Sequence, residues 1–351
     1  MIDLVHRTLE LVKIPSVTKQ EAEICDFLQR RLSEQQTFEV TRIDNNLIVA
    51  PKTPSKKQTV AFFGHLDTVP PTADNPPRID GDRLYGLGVS DMKSGVALMW
   101  QLIEAPPKDA SYDQIFVFYS GEEGPFDGSG LGPVLEQCSF LQERIDLAIC
   151  LEPSDNILQL GCLGTLHAEV TFKGQAAHSA RPWQGNNAIH QAGALLTRLS
   201  QTAPIDVRFG ELSYREVISA TLATGGRARN VVPDSFSVNL NYRFAPGRSL
   251  EQAQLYVREF VGEGPEVRFI DLSPSGAIPE DNAVLDAFRQ VYGAAEAPKQ
   301  AWTDVARLAQ AGIAAINFGS GQSDQAHQPG EYASIPHLVA GEALIRRFLS
   351  A

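Results

Sequence analysis

The chain has 351 residues, of which 43% are hydrophobic and 21% charged, and this composition is typical of a globular protein with about two domains. The 30 Lys and Arg residues against 42 Asp and Glu give a net charge of -12. Nucleic acid is therefore not an expected partner, because its binding usually needs a basic surface. Charges interrupt the apolar stretch of residues 1–15, and no segment approaches the roughly 20 apolar residues of a membrane span. We expect a cytoplasmic protein without membrane contact.

The first part of the chain predicts two amphipathic helices followed by buried strands. Apolar residues repeat at helical intervals over 2–12 and 19–35, and Thr18 and Glu21 have the spacing of a capping box. Four short apolar runs bounded by Gly or acidic residues predict strands of a mainly parallel sheet: 59–63, 114–119, 145–151 and 312–318. Helical patterns at 94–103 and over the last fifteen or so residues would cover this sheet. The pattern indicates an α/β domain.

The middle of the chain has a different pattern. From residue 163 to about 272, apolar and polar residues alternate, which predicts a sheet with one face in water. Helical patterns at 187–200 and 250–261 fall between the alternating segments. We therefore predict an inserted α+β domain at 163–272, with the α/β domain in two parts, 1–162 and 273–351.

Polar residues follow the predicted strands at their carboxyl ends, which is where open α/β sheets bind ligands. His65 and Asp67 follow the first of these strands and are two residues apart, so their side chains share one side of an extended segment. One of them can then ligate a metal while the other orients the ligating side chain. The other candidates are Asp91 after a Gly-rich turn, Glu122 and Glu123 after the next strand, Glu152 after the third, and His327 after the last.

Two imidazoles and several carboxylates, without a thiolate, suit zinc or another borderline divalent metal. Their number is enough for two ions that share a bridging carboxylate. Taken alone, a His-x-Asp pair or a Glu-Glu dipeptide is usually part of a solvated loop. The sequence contains neither the nucleophile-elbow motif nor a Walker A loop. The joint placement at strand ends therefore predicts a two-metal hydrolase.

These motifs resemble the five metal-site blocks of the M20 family of co-catalytic zinc amidohydrolases and peptidases. In family order, they are residues 64–70, 88–95, 121–124, 151–153 and 326–327. The resemblance implies two Zn²⁺ ions, for which Co²⁺ can substitute. The implied ligands are His65, Asp91 and Glu152 for one ion, and Asp91, Glu123 and His327 for the other.

The same resemblance implies roles for other residues. Glu122 would be the general base that takes a proton from the attacking water, and Asp67 would orient His65. A cis peptide is implied after Asp91. The inserted domain would be a lid through which two copies form a homodimer. His178, within 177–180, would reach the partner's active site and stabilise the oxyanion.

The resemblance also implies residues that hold an anionic N-acyl amino acid substrate. In the strand pattern of 236–244, every second residue is apolar and these residues share one face. Arg243 falls between two of them, so it should project from the opposite face. Asn230 belongs to a second matching lid segment, and Arg181 and Thr303 would add a cation and a hydrogen-bond donor.

Four parts of the sequence resemble, within the family, the shorter, Gram-positive type of desuccinylase: 161–166, 178–183, 230–233 with 241–246, and 302–307. The implied reaction is hydrolysis of N-succinyl-LL-2,6-diaminopimelate to succinate and LL-2,6-diaminopimelate, a step towards lysine and cell-wall precursors. Two alternatives stay open. One is another deacylase of the family, of the acetylornithine or acetyl-lysine type, or a dipeptidase. The other is a zinc-binding protein without catalysis, which the intact set of candidate residues disfavours.

Overall fold

A computed structural model describes residues 2–351, with side chains from residue 4 onward. It divides into two compact units. We call the first the sheet unit; it comprises the residues up to Gly161, Ala277–Ala297 and Thr303–Ala351. We call the second the insert unit; it comprises Cys162–Gly276 and Pro298–Trp302. The short segment 298–302 has no counterpart in the prediction, because five residues are too few to show a hydrophobic period.

Eleven α-helices lie within the described residues: α1 Ile2–Val12, α2 Ala22–Leu32, α3 Ser94–Glu104, α4 Leu131–Gln137, α5 Phe140–Arg144, α6 Ala188–Gln191, α7 Gly193–Gln201, α8 Leu250–Val261, α9 Ala283–Tyr292, α10 Val305–Gln310 and α11 Ile335–Leu349. None of these helices combines the length and the apolar composition that crossing a bilayer requires.

Sixteen strands lie within the same residues: β1 Phe38–Ile43, β2 Asn46–Pro51, β3 Thr59–His65, β4 Arg78–Asp80, β5 Arg83–Tyr85, β6 Asp113–Tyr119, β7 Leu147–Cys150, β8 Gln159–Leu160, β9 Gly164–Lys173, β10 Ile205–Phe209, β11 Leu212–Gly225, β12 Ser235–Phe244, β13 Glu266–Ser273, β14 Ala297–Pro298, β15 Ala315–Asn317 and β16 Tyr332–Ser334.

The main sheet has the strand order β1-β2-β6-β3-β7-β15-β8-β14. Its centre is parallel, since β3 pairs in parallel with β6 and β7, and β7 pairs in parallel with β15. Every residue of β3 and β6 is buried, which explains their unbroken apolar runs. The α/β prediction is confirmed, and the parallel centre brings the carboxyl ends of β6, β3, β7 and β15 to one edge.

Two local predictions were wrong. Helix α2 begins at Ala22, and no side chain caps it. The hydroxyl of Thr18 donates instead to Asp67 Oδ2 at 3.0 Å, so the long-range contact displaces the capping box. The helix predicted over 187–200 is two short helices, because the chain bends at Ala192 between α6 and α7.

The insert unit contains a five-stranded antiparallel sheet with the order β10-β11-β12-β9-β13. The predicted alternation is confirmed in β12, where Tyr242 and Phe244 are buried and Arg243 is only partly so. The apolar face packs on α6, α7 and α8 to form a separate hydrophobic core, to which Leu166, Leu240 and Val257 belong. The opposite face carries the polar side chains.

Glu216 of β11 is a buried carboxylate in the insert unit, 3% exposed. It accepts hydrogen bonds from the Tyr242 hydroxyl at 2.8 Å and from the Ala245 N–H at 2.9 Å. Arg248 donates to it through Nε and Nη2, both at 3.2 Å. A buried charge is tolerated when every acceptor position is used in this way.

We expect Glu216→Gln to lower the free energy of unfolding by about 2–3 kcal/mol, because Arg248 loses its anionic partner inside the protein. Urea unfolding measures the change. The control is Glu266→Gln, since Glu266 is largely exposed and its ion pair with Lys173 is long, at 3.9 Å. Equal stability of the two variants would show that the buried ion pair contributes nothing.

Candidate metal centre

Most of the candidate ligands lie where the central strands end. His65 is the last residue of β3, Glu122 and Glu123 follow β6, and Glu152 is the second residue after β7. Because β6, β3 and β7 are neighbouring parallel strands, their carboxyl ends meet at the same edge of the sheet. The chain direction thus brings imidazole and carboxylate groups together from segments far apart in sequence.

Asp91 lies between the two imidazole rings. Its Oδ1 is 3.1 Å from His65 Nε2, and its Oδ2 is 3.7 Å from His327 Nε2. His327 Nε2 is also 3.0 Å from Glu123 Oε1, and His65 Nε2 is 3.9 Å from Glu152 Oε1. One carboxylate therefore faces both imidazoles, one through each oxygen. The peptide bond between Asp91 and Met92 is cis, as the resemblance implied.

Asp67 is fully buried and contacts the loop that carries the two glutamates. Its Oδ1 accepts the N–H of Glu122 at 3.0 Å, and its Oδ2 accepts the N–H of Glu123 at 3.1 Å. His65 Nδ1 lies 3.0 Å from the Asp67 carbonyl oxygen and 3.6 Å from its Oδ1. Asp67 thus contacts the imidazole mainly through its main chain, while its carboxylate holds the glutamate loop.

The acidic groups perturb one another strongly. Burial alone would lower the pKa of His65, but Asp91, Glu122 and Glu152 raise it well above its usual value. Burial, with Glu152 and Glu123, raises the pKa of Glu122 well above the range of an ordinary carboxyl. Burial and the neighbouring carboxylates therefore both favour the protonated form of Glu122 when no other cation is present.

His327 shows the same effect from its more exposed position. The hydrogen bond with Glu123 raises the pKa of His327 to about 9, against partial burial. A metal ligand must lose such a proton before it can coordinate. Binding of a metal ion to His327 would therefore have to displace this proton.

The residues present fit a metal ion. His65, Asp91 and Glu123 offer ligand atoms that all lie within 4.8 Å of one another. Imidazole and carboxylate donors without thiolate match zinc and similar divalent ions. Glu152 and His327 extend this group on opposite sides of Asp91. The cluster is therefore a candidate metal centre with donors enough for more than one ion.

A second layer of contacts, which the sequence did not signal, supports the glutamate loop. The buried Asp304 accepts a hydrogen bond from Arg307 Nε at 2.9 Å. Arg307 Nη2 donates to the carbonyl of Phe126, in the loop after Glu123, at 2.7 Å. Burial raises the pKa of Asp304, while Arg307 and the Tyr119 hydroxyl act against this. Thr303 is buried beside this network, just before α10.

Within the insert unit, two exposed loops bring three candidates together. The N–H of Ser179 donates to the carbonyl of Asn230 at 2.9 Å, and His178 forms a β-bridge with Val231. The N–H of Arg181 donates to the His178 carbonyl at 2.8 Å. His178, Arg181 and Asn230 are all exposed, so they are accessible to a ligand.

The ring of His178 has a defined donor. Its Nδ1 accepts the N–H of Ala180 at 3.1 Å. In a neutral imidazole, the ring proton is then on Nε2. His178 can therefore donate a hydrogen bond through Nε2 to an external oxygen.

Arg243 lies on the polar face of the insert sheet. Its Nε donates to Asn241 Oδ1 at 3.0 Å. Burial lowers the pKa of Arg243, and the Asp271 carboxylate opposes this from a distance. Within the described residues, the guanidinium has no ion-pair partner, so its remaining N–H groups can receive a carboxylate.

Comparisons with known proteins agree with the fold and the residue pattern. Residues 61–351 match the model of Peptidase family M20/M25/M40. The chain is 37% identical over 350 residues to a protein of Mycobacterium tuberculosis named putative succinyl-diaminopimelate desuccinylase DapE, with 99% of this chain and 98% of that protein covered. It is 32% identical over 361 residues to the succinyl-diaminopimelate desuccinylase of Corynebacterium glutamicum, covering 99% and 96%.

Among solved structures, the Bacillus subtilis protein YXEP, described as a dinuclear metal binding peptidase from the M20 family, aligns with a TM-score of 0.70 at 16% identity. The alignment covers 99% of this chain and 96% of that one, and it shows a common fold. The matches to the family and to the two desuccinylases extend over most of the chain. This protein therefore belongs to Peptidase family M20/M25/M40 and is a hydrolase that acts on amide bonds.

Proposed function

We propose that the cluster holds two Zn²⁺ ions, one between His65 and Glu152 and the other between Glu123 and His327, with Asp91 shared by both. The observation that carries this proposal is the placement of the two Asp91 oxygens against different imidazoles, at 3.1 and 3.7 Å. Two divalent ions would also balance the negative charge of the carboxylates that lie together in the cluster. Cobalt, with similar ligand preferences, would serve as a substitute.

Two bound ions of this kind lower the pKa of a coordinated water and polarise an amide carbonyl. Glu122 follows β6 with its backbone fixed by Asp67. A carboxylate at this position can accept a proton from the attacking water and then donate it to the leaving amine. We assign Glu122 this role, since its neighbour Glu123 is engaged with His327.

We further propose that the substrate is N-succinyl-LL-2,6-diaminopimelate, which is cleaved to succinate and LL-2,6-diaminopimelate. The two relatives named as desuccinylases support this, with 37% and 32% identity over nearly the whole chain. The substrate carries several carboxylates, and the protein has a net charge of -12, so local cations have to select it. We assign this role to Arg243 and Arg181, and we assign Asn230 and Thr303 the role of hydrogen-bond donors.

A homodimer completes the proposal. The exposed Nε2 of His178 is suited to donate a hydrogen bond to the oxyanion, and the resemblance implies that it acts in the partner's site. The insert unit also exposes large apolar side chains, including Leu222 of β11 and Leu196 of α7, which would contribute to an interface. The cytoplasmic location stays a prediction.

We expect the zinc-loaded protein to hydrolyse N-succinyl-LL-2,6-diaminopimelate with a kcat/KM at least about a hundredfold above that for N-acetyl-L-ornithine or a simple dipeptide. Arg243→Ala should remove most of this preference, because the guanidinium is proposed to hold a carboxylate of the substrate. The kcat/KM for an amide that lacks this carboxylate should fall little in the same variant. Steady-state kinetics with the three substrates measures both the preference and its loss in the variant. Activity confined to another amide would keep the metal chemistry and replace the substrate.

Glu122→Gln should lower kcat by about 10²- to 10⁴-fold with both ions still bound, because the amide cannot carry the proton. The matched control is Glu123→Gln, at the next residue, which should instead weaken metal binding. Metal analysis of the purified proteins accompanies the kinetics. A Glu122→Gln enzyme with near-normal kcat would exclude Glu122 as the base.

Mixing subunits tests the position of His178. His178→Ala and Glu122→Gln are each expected to be nearly inactive as homodimers. After random exchange, about half of the dimers are mixed, and each of these has one site with both residues intact. We expect recovery of about a quarter of wild-type activity. Absence of any recovery, with mixed dimers demonstrated, would show that His178 does not act in the partner's site.

A further inference from the structure

Glu331 is a buried carboxylate beside the candidate metal centre, 1% exposed and four residues after His327. Its Oε1 accepts the N–H of Ser90 at 2.7 Å and that of Asp91 at 3.1 Å. Its Oε2 accepts the N–H of Gly88 at 2.7 Å. One side chain thus receives three main-chain donors from the loop that carries the shared aspartate.

The loop is shaped to present these donors. Gly88 has a φ of 75°, and a Cβ there would lie 2.4 Å from Thr68 Cγ2, so only glycine fits. Backbone N–H groups that converge in such a turn form a concave site for an anion. Here the anion is a carboxylate of the same chain rather than a ligand.

Further contacts join the same two segments. The Ser90 hydroxyl donates to the carbonyl of Tyr332 at 2.7 Å, and the N–H of Gly86 donates to the Glu331 carbonyl at 3.2 Å. Strand β16, which starts at Tyr332, pairs with β5 just before this loop. The segment that carries Asp91 and the segment that follows His327 are therefore held together by side chain and main chain.

We propose that Glu331 is a positioning residue for the metal centre, which fixes Asp91 relative to His327 and so couples the two ion sites. The inference depends on the proposed two-metal function. The Glu331 side chain is buried near a cluster that is already acidic, and the three N–H donors offset the cost of burying it.

Glutamine is the informative substitution because it keeps the size of the side chain. An amide has one acceptor oxygen, and its NH₂ group would face a backbone N–H. At least one donor of the loop would then lack a partner. Glu331→Asp keeps the charge but shortens the side chain, so it should retain part of the effect.

The control is Glu342→Gln. Glu342 is another buried glutamate of the sheet unit, and its Oε1 accepts from Gln101 Nε2 and from Arg346 Nε, both at 2.8 Å. These partners lie on α3 and α11. Both glutamine variants remove a buried carboxylate, but only Glu331→Gln changes the Asp91 loop.

Two measurements on the full-length protein test the proposal. Competition titration with a chelator gives the Zn²⁺ affinity, and hydrogen exchange of the metal-free protein gives the protection of the Gly88, Ser90 and Asp91 amides. For Glu331→Gln, we expect Zn²⁺ affinity to fall about 10- to 100-fold at both sites and the three amides to exchange faster. The Zn²⁺ affinity and the amide exchange rates of Glu331→Asp should lie between those of Glu331→Gln and the wild type. Both quantities should match the wild type in Glu342→Gln.

Wild-type Zn²⁺ affinity and protected amides in Glu331→Gln would overturn the inference, as would an equal loss of affinity in Glu342→Gln. Wild-type protein that binds no Zn²⁺ would instead contradict the proposed function. In that case, unchanged amide exchange in Glu331→Gln would overturn the positioning role as well. If Glu331→Gln does not fold, the Zn²⁺ affinity and amide exchange of Glu331→Asp are compared with those of Glu342→Gln instead. Equal values in these two variants would overturn the inference.

Discussion

Asp91 presents one oxygen to His65 and the other to His327, at 3.1 and 3.7 Å, and acidic side chains approach from both sides. Carboxylates this close cannot all stay charged in a partly buried site unless a cation balances them. In the metal-free protein, burial together with Glu152 and Glu123 raises the pKa of Glu122 well above its usual range, and the hydrogen bond with Glu123 raises the pKa of His327 to about 9. Two divalent ions would balance the charges of four carboxylates and leave both imidazoles neutral.

Much of the surrounding structure serves to hold this unfavourable group of charges. The parallel strands β6, β3 and β7 end at one edge, so the ligands converge without a long loop. The Asp67 carboxylate fixes the glutamate loop by accepting the N–H groups of Glu122 and Glu123. Arg307 fixes the same loop further along by donating to the carbonyl of Phe126. Backbone donors and buried ion pairs thus take the place of water around the acidic side chains.

The sequence was sufficient for the features that depend on local pattern. Apolar runs identified the buried strands, and metal-binding residue types at their ends identified the cluster around Asp91. It was not sufficient where a residue's partner is distant. The Thr18 hydroxyl contacts Asp67 rather than capping α2, and nothing local distinguishes Glu331 from an exposed loop glutamate. Selection of a succinyl group depends on the geometry of the insert-unit side chains with bound substrate, which residue types and spacing do not specify.

The most direct test of this account is the Zn²⁺ stoichiometry of the wild-type protein and of Asp91→Ala, measured by equilibrium dialysis and elemental analysis. The account predicts two ions per chain in the wild type and at most one weakly held ion in the variant, because Asp91 contributes an oxygen to each site. Asp286→Asn, at an exposed position on α9, should keep both ions. Two tightly bound ions in Asp91→Ala would contradict the shared carboxylate on which the proposed mechanism depends.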